Sequence, residues 1–586
     1  MINLILLFSL FFQLPQTPSY LPSKNIKPGM KGYGLTVFQN RKIEKFKVKV
    51  IAVMPNSLIS QNLILIKLDH PVTDHAGVVA GMSGSPIYIK GKFAGGLGYG
   101  FSFQKDPIAI LTPAEAIIKT MNKPIDNVDV WGRNRKKPTA SSSFFKRTTS
   151  RIYLARKQKN SSVQPLTLPL SVGGIDQAHF SKFFPGLNSM GNFIPSGVKK
   201  NIKKNLVYKP GSPVGIVLVR GDMNAAAIGT VTHIQKNRMA IFSHPFMGRG
   251  ETRLPVAHAT IHTVIARTSS SMKLGTITQP QGTLIQDEQA SVVVNKDKNP
   301  GFVPVVIKTS GLGEKSMTFN YQVAKHRLFT DNLINGVLRR SLYKFYQNYS
   351  DLTYSIQYKI YSDIIPLMTF TDTLSYDKGI TLSFKASSWS RYSTRGQLAV
   401  QYLLDNPFKR GVIKKVEITA NITRGLNNYS LQEFKLPSPV LRAGKKIKLQ
   451  VKLKPQVGQE IVKTIPLEIP EELESSKVYL KITSGLSTNL DEAEPQNIIQ
   501  FFKYLQNTFD RHSIVITMKT LNPSVDIKGT RLNNLPLSIA DSLLYRSNSK
   551  KLKAKQTLYR KVIRVPELVS GSLKKQVFIK EKLTEK

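Results

Sequence analysis

The chain contains no cysteine among its 586 residues. This absence excludes disulfide bonds, thiolate metal sites and a cysteine nucleophile. An exported protein without disulfides is more typical of bacteria than of a eukaryotic secretory route. His258 and His262 have the spacing of helical metal ligands, but their segment is strand-like and no HExxH motif accompanies them. We therefore expect neither a metal nor a cofactor.

Acidic residues are scarce, with 36 Asp and Glu against 84 Lys and Arg, which gives a formal net charge of +48. Such a charge favours acidic partners, for example an acidic envelope polymer or an anionic membrane surface. The basic residues are spread over the whole chain, which is also typical of solvated lysine faces. Because no RNA- or DNA-binding motif is present, nucleic acid is not an expected partner.

The N-terminus lacks Lys and Arg ahead of its apolar run, Leu4–Phe12. This run is too short to span a bilayer and has the size of a signal-peptide core. Cleavage near Ser19 would leave Thr17 and Ser19 at the small-residue positions. We expect export to the periplasm, the cell envelope or the medium, with retention as an N-terminal anchor as the alternative. A buried first strand is the competing interpretation.

The most informative segment is Val79–Ile87, with the sequence VAGMSGSPI. It places Ser83 in a glycine-flanked turn directly before a strand, as serine peptidases with two β-barrels present their nucleophile. Gly81 can adopt backbone angles closed to other residues, so the N–H groups of Gly81 and Ser83 could converge on one oxyanion. The alternative is a plain hairpin turn, since Gly and Ser are common in turns.

Three further segments accompany this motif: IKPGMKGYGLTVF at 26–38, KDPIA at 105–109, and GTVT at 229–232 with IFSHPF at 241–246. Together with Asp69 to Pro86, they resemble the SpoIVB-type serine peptidase family, known from a sporulation signalling protease and from larger secreted bacterial homologues. The resemblance covers about residues 24–125 and 165–325.

The resemblance implies a Ser-His-Asp triad, with Ser83 as nucleophile, His244 as general base and Asp69 as the orienting acid. Asp74 is an alternative acid, and the alternative histidines near His244 are His233, His258 and His262. A serine hydroxyl needs a neighbouring imidazole to take its proton, and a carboxylate on the other ring nitrogen fixes the tautomer.

The chain also departs from the family pattern. The serine half precedes the histidine half, and no PDZ-like segment is visible. Ser243 stands where the pattern has glycine, and Gln286–Glu288 replaces a stretch that normally ends in arginine.

The remaining patterns predict a mostly β protein, with a two-lobed β-barrel region like that of serine peptidases followed by a β-sandwich and a small α+β domain. Phe46, Val48 and Val50 alternate with lysines, as expected for a strand with one wet face. The predicted divisions are a signal peptide or anchor (1–22), a first β lobe with the serine motif (23–125), a basic linker (126–165), a second β lobe with the histidine motif (166–330), the sandwich (340–484) and the α+β domain (485–586).

Two functions are compatible with these features. The first is an exported serine endopeptidase that forms an acyl-enzyme on Ser83. The second is a catalytically inactive protein of the same fold, which binds or scaffolds in the envelope through its basic surface.

Overall fold

The computed structural model describes residues 20–125, 163–197, 206–376 and 394–581, apart from gaps of one to five residues within these ranges. The predicted signal-peptide core and nearly all of the basic linker lie outside the described residues. Strands account for 55% of the structure and helices for 16%, which confirms the prediction of a mostly β fold.

The first lobe is a closed barrel of six antiparallel strands. The ring runs in the order β1-β2-β3-β6-β5-β4 and closes through pairing of β4 with β1. In β2, Phe46, Val48 and Val50 point into the barrel and the intervening lysines are exposed, as predicted. The strands are β1 (Lys31–Thr36), β2 (Glu44–Leu58), β3 (Gln61–Asp69), β4 (Pro86–Ile89), β5 (Lys92–Phe101) and β6 (Ile108–Pro113), with helices α1 (Pro71–Ala76) and α2 (Ala114–Asn122).

The second lobe repeats this architecture. Its six central strands form a second ring of antiparallel pairings, in the order β10-β13-β14-β15-β12-β11, which closes between β11 and β10. These strands are β10 (Pro213–Gly221), β11 (Asn224–Gln235), β12 (Arg238–Ile241), β13 (Gly250–Ile265), β14 (Met272–Asp287) and β15 (Val292–Asn295). Preceding them, β7 (Val163–Pro165) pairs with β5, and β8 (Pro169–Gly173) pairs with β11. Helix α3 (Gln177–Phe183) then leads to β9 (Asn192–Pro195), which pairs with β8 in parallel.

The sheet of the second lobe continues well beyond its predicted end at residue 330. The strand at 314–324 pairs with β10 and forms a hairpin with the strand at 302–311. The strand at 413–424 pairs in parallel with the strand at 302–311, and the strands at 352–362 and 368–376 follow in antiparallel pairings. The predicted start of the sandwich at 340 is therefore wrong, because alternation reveals a strand but not the distant strand with which it pairs. The added elements are β16 (Phe302–Gly311), β17 (Glu314–Ala324), α4 (Thr330–Asn348), β18 (Leu352–Ser362), β19 (Met368–Tyr376), α5 (Arg395–Leu404) and β20 (Ile413–Arg424).

The C-terminal part contains a two-sheet sandwich with one shared apolar core, which includes Leu449, Ile482 and Ile516. Sheet orders are β24-β23-β21-β31 and β22-β32-β25-β26-β30. Because β25 pairs with two later strands, the predicted boundary at 484/485 divides a sheet and is also wrong. The elements are β21 (Asn428–Lys435), β22 (Val440–Arg442), β23 (Lys446–Pro455), β24 (Ile461–Glu468), β25 (Ser476–Ser484), α6 (Ile498–Asn507), β26 (Ser513–Lys519), β27 (Ser524–Ile527), β28 (Thr530–Leu532), α7 (Leu537–Tyr545), β29 (Lys551–Lys553), β30 (Thr557–Arg564), β31 (Leu568–Ser570) and β32 (Ser572–Lys580).

Backbone contacts join the two barrels where the serine turn leaves the first one. The amide of Ala80 donates to the carbonyl of Ser271 (2.8 Å), and the amide of Thr230 donates to the carbonyl of Ser83 (2.8 Å). None of the helices within the described residues has the length and apolar character needed to cross a membrane.

Gly84 provides the first testable prediction, because the second barrel approaches it closely. A Cβ atom on Gly84 would lie 2.2 Å from the Thr230 oxygen and 2.5 Å from the Phe242 nitrogen, at a φ of +92°. Gly29 has a similar φ of +85° but open space around it, so it is a matched control. We expect Gly29→Ala to cost about 1 kcal/mol from backbone strain. Gly84→Ala adds a clash with backbone, and we expect it to cost at least about 3 kcal/mol.

Urea unfolding of the two variants measures this difference. Equal midpoints for Gly84→Ala and Gly29→Ala would show that the barrels do not pack tightly at this turn.

Candidate active site

The serine turn is built from short-range hydrogen bonds. The amide of Met82 donates to the carbonyl of Val79 (2.9 Å), and both the amide and the hydroxyl of Ser85 donate to the carbonyl of Met82 (2.8 and 2.6 Å). Gly81 has a φ of +96°, in the region that favours glycine. The sequence VAGMSGSP therefore folds as a tight turn whose backbone is fixed on both sides of Ser83.

The turn presents its amides and its carbonyls to different partners. Thr230 of β11 binds two carbonyls, because its hydroxyl donates to Gly81 (2.8 Å) and its amide donates to Ser83 (2.8 Å). The amides of Gly81 and Ser83 donate to no protein acceptor within the described residues. These two N–H groups are the predicted oxyanion donors, and their lack of a protein partner is what such a site requires.

The hydroxyl of Ser83 is buried and donates to the carbonyl of Phe242 (2.8 Å). Phe242 lies two residues before His244, so the fold brings the serine turn against the segment that carries the predicted base. The hydroxyl is not bonded to the His244 ring, since the Nε2 atom of His244 has no hydrogen-bond partner in the part of the chain that the structure describes.

His244 is held in the tautomer that a general base needs. Its Nδ1 lies 2.8 Å from the carbonyl oxygen of Pro245, an acceptor, so Nδ1 carries the proton and Nε2 keeps a lone pair. The ring is buried beside Phe242 and Tyr99, with centroids 6.1 and 6.3 Å away. Burial lowers the pKa of His244 to about 4, against the opposing effect of backbone acceptors at Pro245 and Leu166. The imidazole is therefore neutral at pH 7.

Ser243 directly precedes His244 in the chain and is held by one residue from each barrel. Its carbonyl accepts the hydroxyl of Thr112 (2.6 Å), and its own hydroxyl lies 3.0 Å from that of Thr232. Phe242 and Ser243 both have positive φ, at 68° and 54°, where a side chain is strained. The family pattern has glycine at the second of these positions, and glycine carries no strain there.

The two predicted acids do not contact the histidine. Asp69 ends β3 with a side chain that is 67% exposed and lies 4.0 Å from the Lys47 ammonium. Asp74 is exposed in α1. Since Nδ1 of His244 binds the Pro245 carbonyl, no carboxylate occupies the orienting position. The role of Asp69 stays a prediction.

The alternative histidines occupy other environments. His233 stacks on Phe93 with centroids 4.8 Å apart, and His262 is exposed. His258 is buried, but its Nε2 lies 2.9 Å from the Leu206 carbonyl and its ring stacks on Tyr208 at 3.7 Å. Among these four histidines, only His244 lies two residues after Phe242, whose carbonyl accepts the Ser83 hydroxyl.

Two buried ionisable residues near this region, Lys273 and Asp287, were not predicted from the sequence to have a role in the site. Lys273 packs its methylene groups against Gly81, and its ammonium donates to the Thr36 hydroxyl (2.7 Å). Burial lowers the pKa of Lys273 to about 7. Asp287 lies at the end of β14, and its carboxylate binds backbone amides just after His244. A polar residue within an otherwise buried strand was the available signal in both cases.

Comparison with known proteins gives one match. Residues 19–107 match the family model described as SpoIVB peptidase S55, which confirms the resemblance to SpoIVB-type serine peptidases. No curated protein and no solved structure matches the chain. The matched region contains the serine turn and Asp69 but not His244.

The strain at Ser243 leads to a prediction about relative stability. At a position with an ordinary backbone conformation, a protein with Ala is more stable than the same protein with Gly. At a φ of 54° this order is reversed, because Ala is strained there and Gly is not. Both Ser243→Gly and Ser243→Ala lose the contact with Thr232. We therefore expect Ser243→Gly to be more stable than Ser243→Ala by about 1 kcal/mol. Urea unfolding of both variants measures the difference, and a more stable Ser243→Ala would contradict the left-handed backbone.

Lys273 leads to a prediction about pH. Its folded-state pKa, about 7, lies below its unfolded value of 10.5, so between these values the unfolded chain binds more protons. The lysine therefore costs stability at and below pH 7, and this cost disappears as the pH rises toward 10.5. Lys273→Met should unfold at a higher temperature than wild type at pH 7, with a smaller gap at pH 10. Thermal unfolding at both pH values checks this, and a constant gap would contradict it.

Proposed function

We propose that this chain, whose residues 19–107 match the SpoIVB peptidase S55 family, is an exported serine endopeptidase that cleaves protein substrates. The observation that carries the proposal is the docking of the serine turn on the His244 segment. This docking brings three groups into one region between the barrels. They are the amides of Gly81 and Ser83, which have no protein acceptor among the described residues, the Ser83 hydroxyl, and the neutral imidazole of His244 with its unbonded Nε2.

In the proposed reaction, the Ser83 hydroxyl exchanges its bond to the Phe242 carbonyl for one to Nε2 of His244. The Ser83 oxygen then attacks the substrate carbonyl carbon while its proton passes to Nε2. The amides of Gly81 and Ser83 bind the oxyanion that forms. A single donor of this kind lowers the barrier by about 3 kcal/mol in other enzymes.

The imidazolium returns its proton to the leaving amine, which leaves an acyl-enzyme on Ser83. Water then attacks the ester, with His244 again as the base, and the serine is regenerated. The Pro245 carbonyl holds the tautomer throughout, although a neutral carbonyl stabilises an imidazolium less than a carboxylate does. The proposed acid, Asp69, would have to approach from its exposed position.

Export is proposed from the apolar run Leu4–Phe12, which has the size of a signal-peptide core. The charge of +48 supports contact with an acidic envelope polymer or an anionic membrane surface as a second property of the protein.

A specific observation favours the alternative, an inactive envelope protein of the same fold. The Ser83 hydroxyl is bonded to a carbonyl rather than to His244, and no carboxylate of the described residues is hydrogen-bonded to the imidazole. In this alternative, the two barrels and the sandwich bind or space partners without turnover.

Fluorophosphonate labelling separates the two functions. We expect the chain from about residue 20 onward to label at Ser83, because an assembled serine and base react with this probe. Ser83→Ala should abolish labelling and His244→Ala should reduce it by at least about 10³-fold, while Ser57→Ala, at an exposed serine, should leave it unchanged. The labelled peptide is mapped by mass spectrometry.

A folded protein that never labels would favour the inactive alternative. Asp69→Asn belongs in the same panel. A loss of about 10⁴-fold would support Asp69 as the acid, whereas a rate within twofold of wild type would leave the Pro245 carbonyl as the only partner of Nδ1.

A further inference from the structure

Residues 242–249 form an irregular connection between β12 and β13 and pair with no strand among the described residues. The amides of the half-buried residues Phe246 and Met247 therefore need acceptors from elsewhere. Asp287, which is fully buried, supplies them. Its Oδ1 accepts the amide of Phe246 (2.8 Å) and its Oδ2 accepts the amide of Met247 (2.7 Å), and the amides of Gly248 and Arg249 also face the carboxylate.

We propose that Asp287 is a positioning residue for His244, which fixes the imidazole through the backbone instead of through a direct bond to the ring. The inference rests on the proposed function. Asp287 holds the backbone directly after Pro245, and the carbonyl of Pro245 in turn binds Nδ1 of His244. The carboxylate thereby sets the position of the atom that selects the tautomer, without touching the reacting groups.

The chemistry of the carboxylate suits this task. Each oxygen already receives an N–H donor, so a proton on either oxygen would place an O–H against an N–H. The ionised form is therefore the one that holds the segment. Asparagine has nearly the same shape, but its NH₂ group would face one of the two amides and break that hydrogen bond.

The surroundings explain why the carboxylate titrates near neutrality. Burial raises the pKa of Asp287 to about 6, and the four backbone amides act in the opposite direction. Charged residues near the carboxylate include Arg249, directly before β13, Glu251 within β13, and Glu288, which forms an ion pair with Lys123 at the end of α2. Burial is the largest cause of the raised pKa.

This placement separates the titration of Asp287 from that of His244. The pKa of His244 is lowered to about 4, so the base remains neutral well below pH 6. A loss of reactivity on acidification through pH 6 would therefore report protonation of Asp287 rather than of His244.

The experiment follows fluorophosphonate labelling of Ser83 and hydrogen exchange of peptides covering 242–249, both between pH 4.5 and 8. It compares wild type with Asp287→Asn. Asp222→Asn is the matched control, because this aspartate also accepts a backbone amide, that of Asn320. It lies in the turn between β10 and β11, eight residues before Thr230, and therefore away from the serine turn.

We expect Asp287→Asn to label about 10²-fold more slowly at pH 8, since small displacements of a catalytic group have effects of this size. The wild-type rate should fall as the pH drops through about 6, and this step should be absent in Asp287→Asn. Exchange within 242–249 should be at least about tenfold faster in Asp287→Asn. Asp222→Asn should match wild type in all three measurements.

Equal labelling rates and pH profiles for wild type and Asp287→Asn would overturn the inference while leaving the proposed function intact. A wild type that never labels would instead remove the proposed function, whatever the exchange shows. If Asp287→Asn does not fold, wild type decides alone: its labelling at Ser83 should slow as the pH drops through about 6, and a rate that stays constant from pH 8 to pH 5 would overturn the inference.

Discussion

The contact on which the candidate site depends is the docking of the serine turn against β11 and the segment after β12. Thr230 binds the carbonyls of Gly81 and Ser83, and Gly84 lets the backbone of the second barrel approach closely. The amides of Gly81 and Ser83 remain without protein acceptors among the described residues. This docking joins the two barrels, orients the turn and places Ser83 beside the segment that carries His244.

The interior of the site is organised by hydrogen bonds without ion pairs among the residues named here, although the chain as a whole is strongly basic. His244 is buried, neutral and bound to a carbonyl, and Ser243 is held by hydroxyl groups of both barrels. Asp287 is stabilised by backbone amides and Lys273 by a single hydroxyl. Buried charges without ionic partners are costly, which is why the pKa values of His244, Asp287 and Lys273 all move toward the neutral form.

The sequence was a reliable guide to local structure and to the serine motif. Alternation in β2 predicted its buried and exposed faces, and the glycines around Ser83 predicted the tight turn. The sequence was a poor guide to which distant strands pair with each other. The extension of the second sheet through β20 and the pairing of β25 with β32 join strands that are distant in the chain. Asp69 looked suitable as an acid because it ends a buried strand, yet its side chain faces solvent.

The sequence by itself determined the mostly β class, the SpoIVB-type resemblance and the conformation of the serine turn, because these depend on residue type, period and short-range hydrogen bonds. Tertiary structure decided which atoms meet at the site: the Ser83 hydroxyl with Phe242, His244 with Pro245, and Asp287 with the amides that follow. Those contacts join residues up to 159 positions apart. Their geometry is set by barrel closure and by the docking of one barrel on the other, which no local pattern encodes.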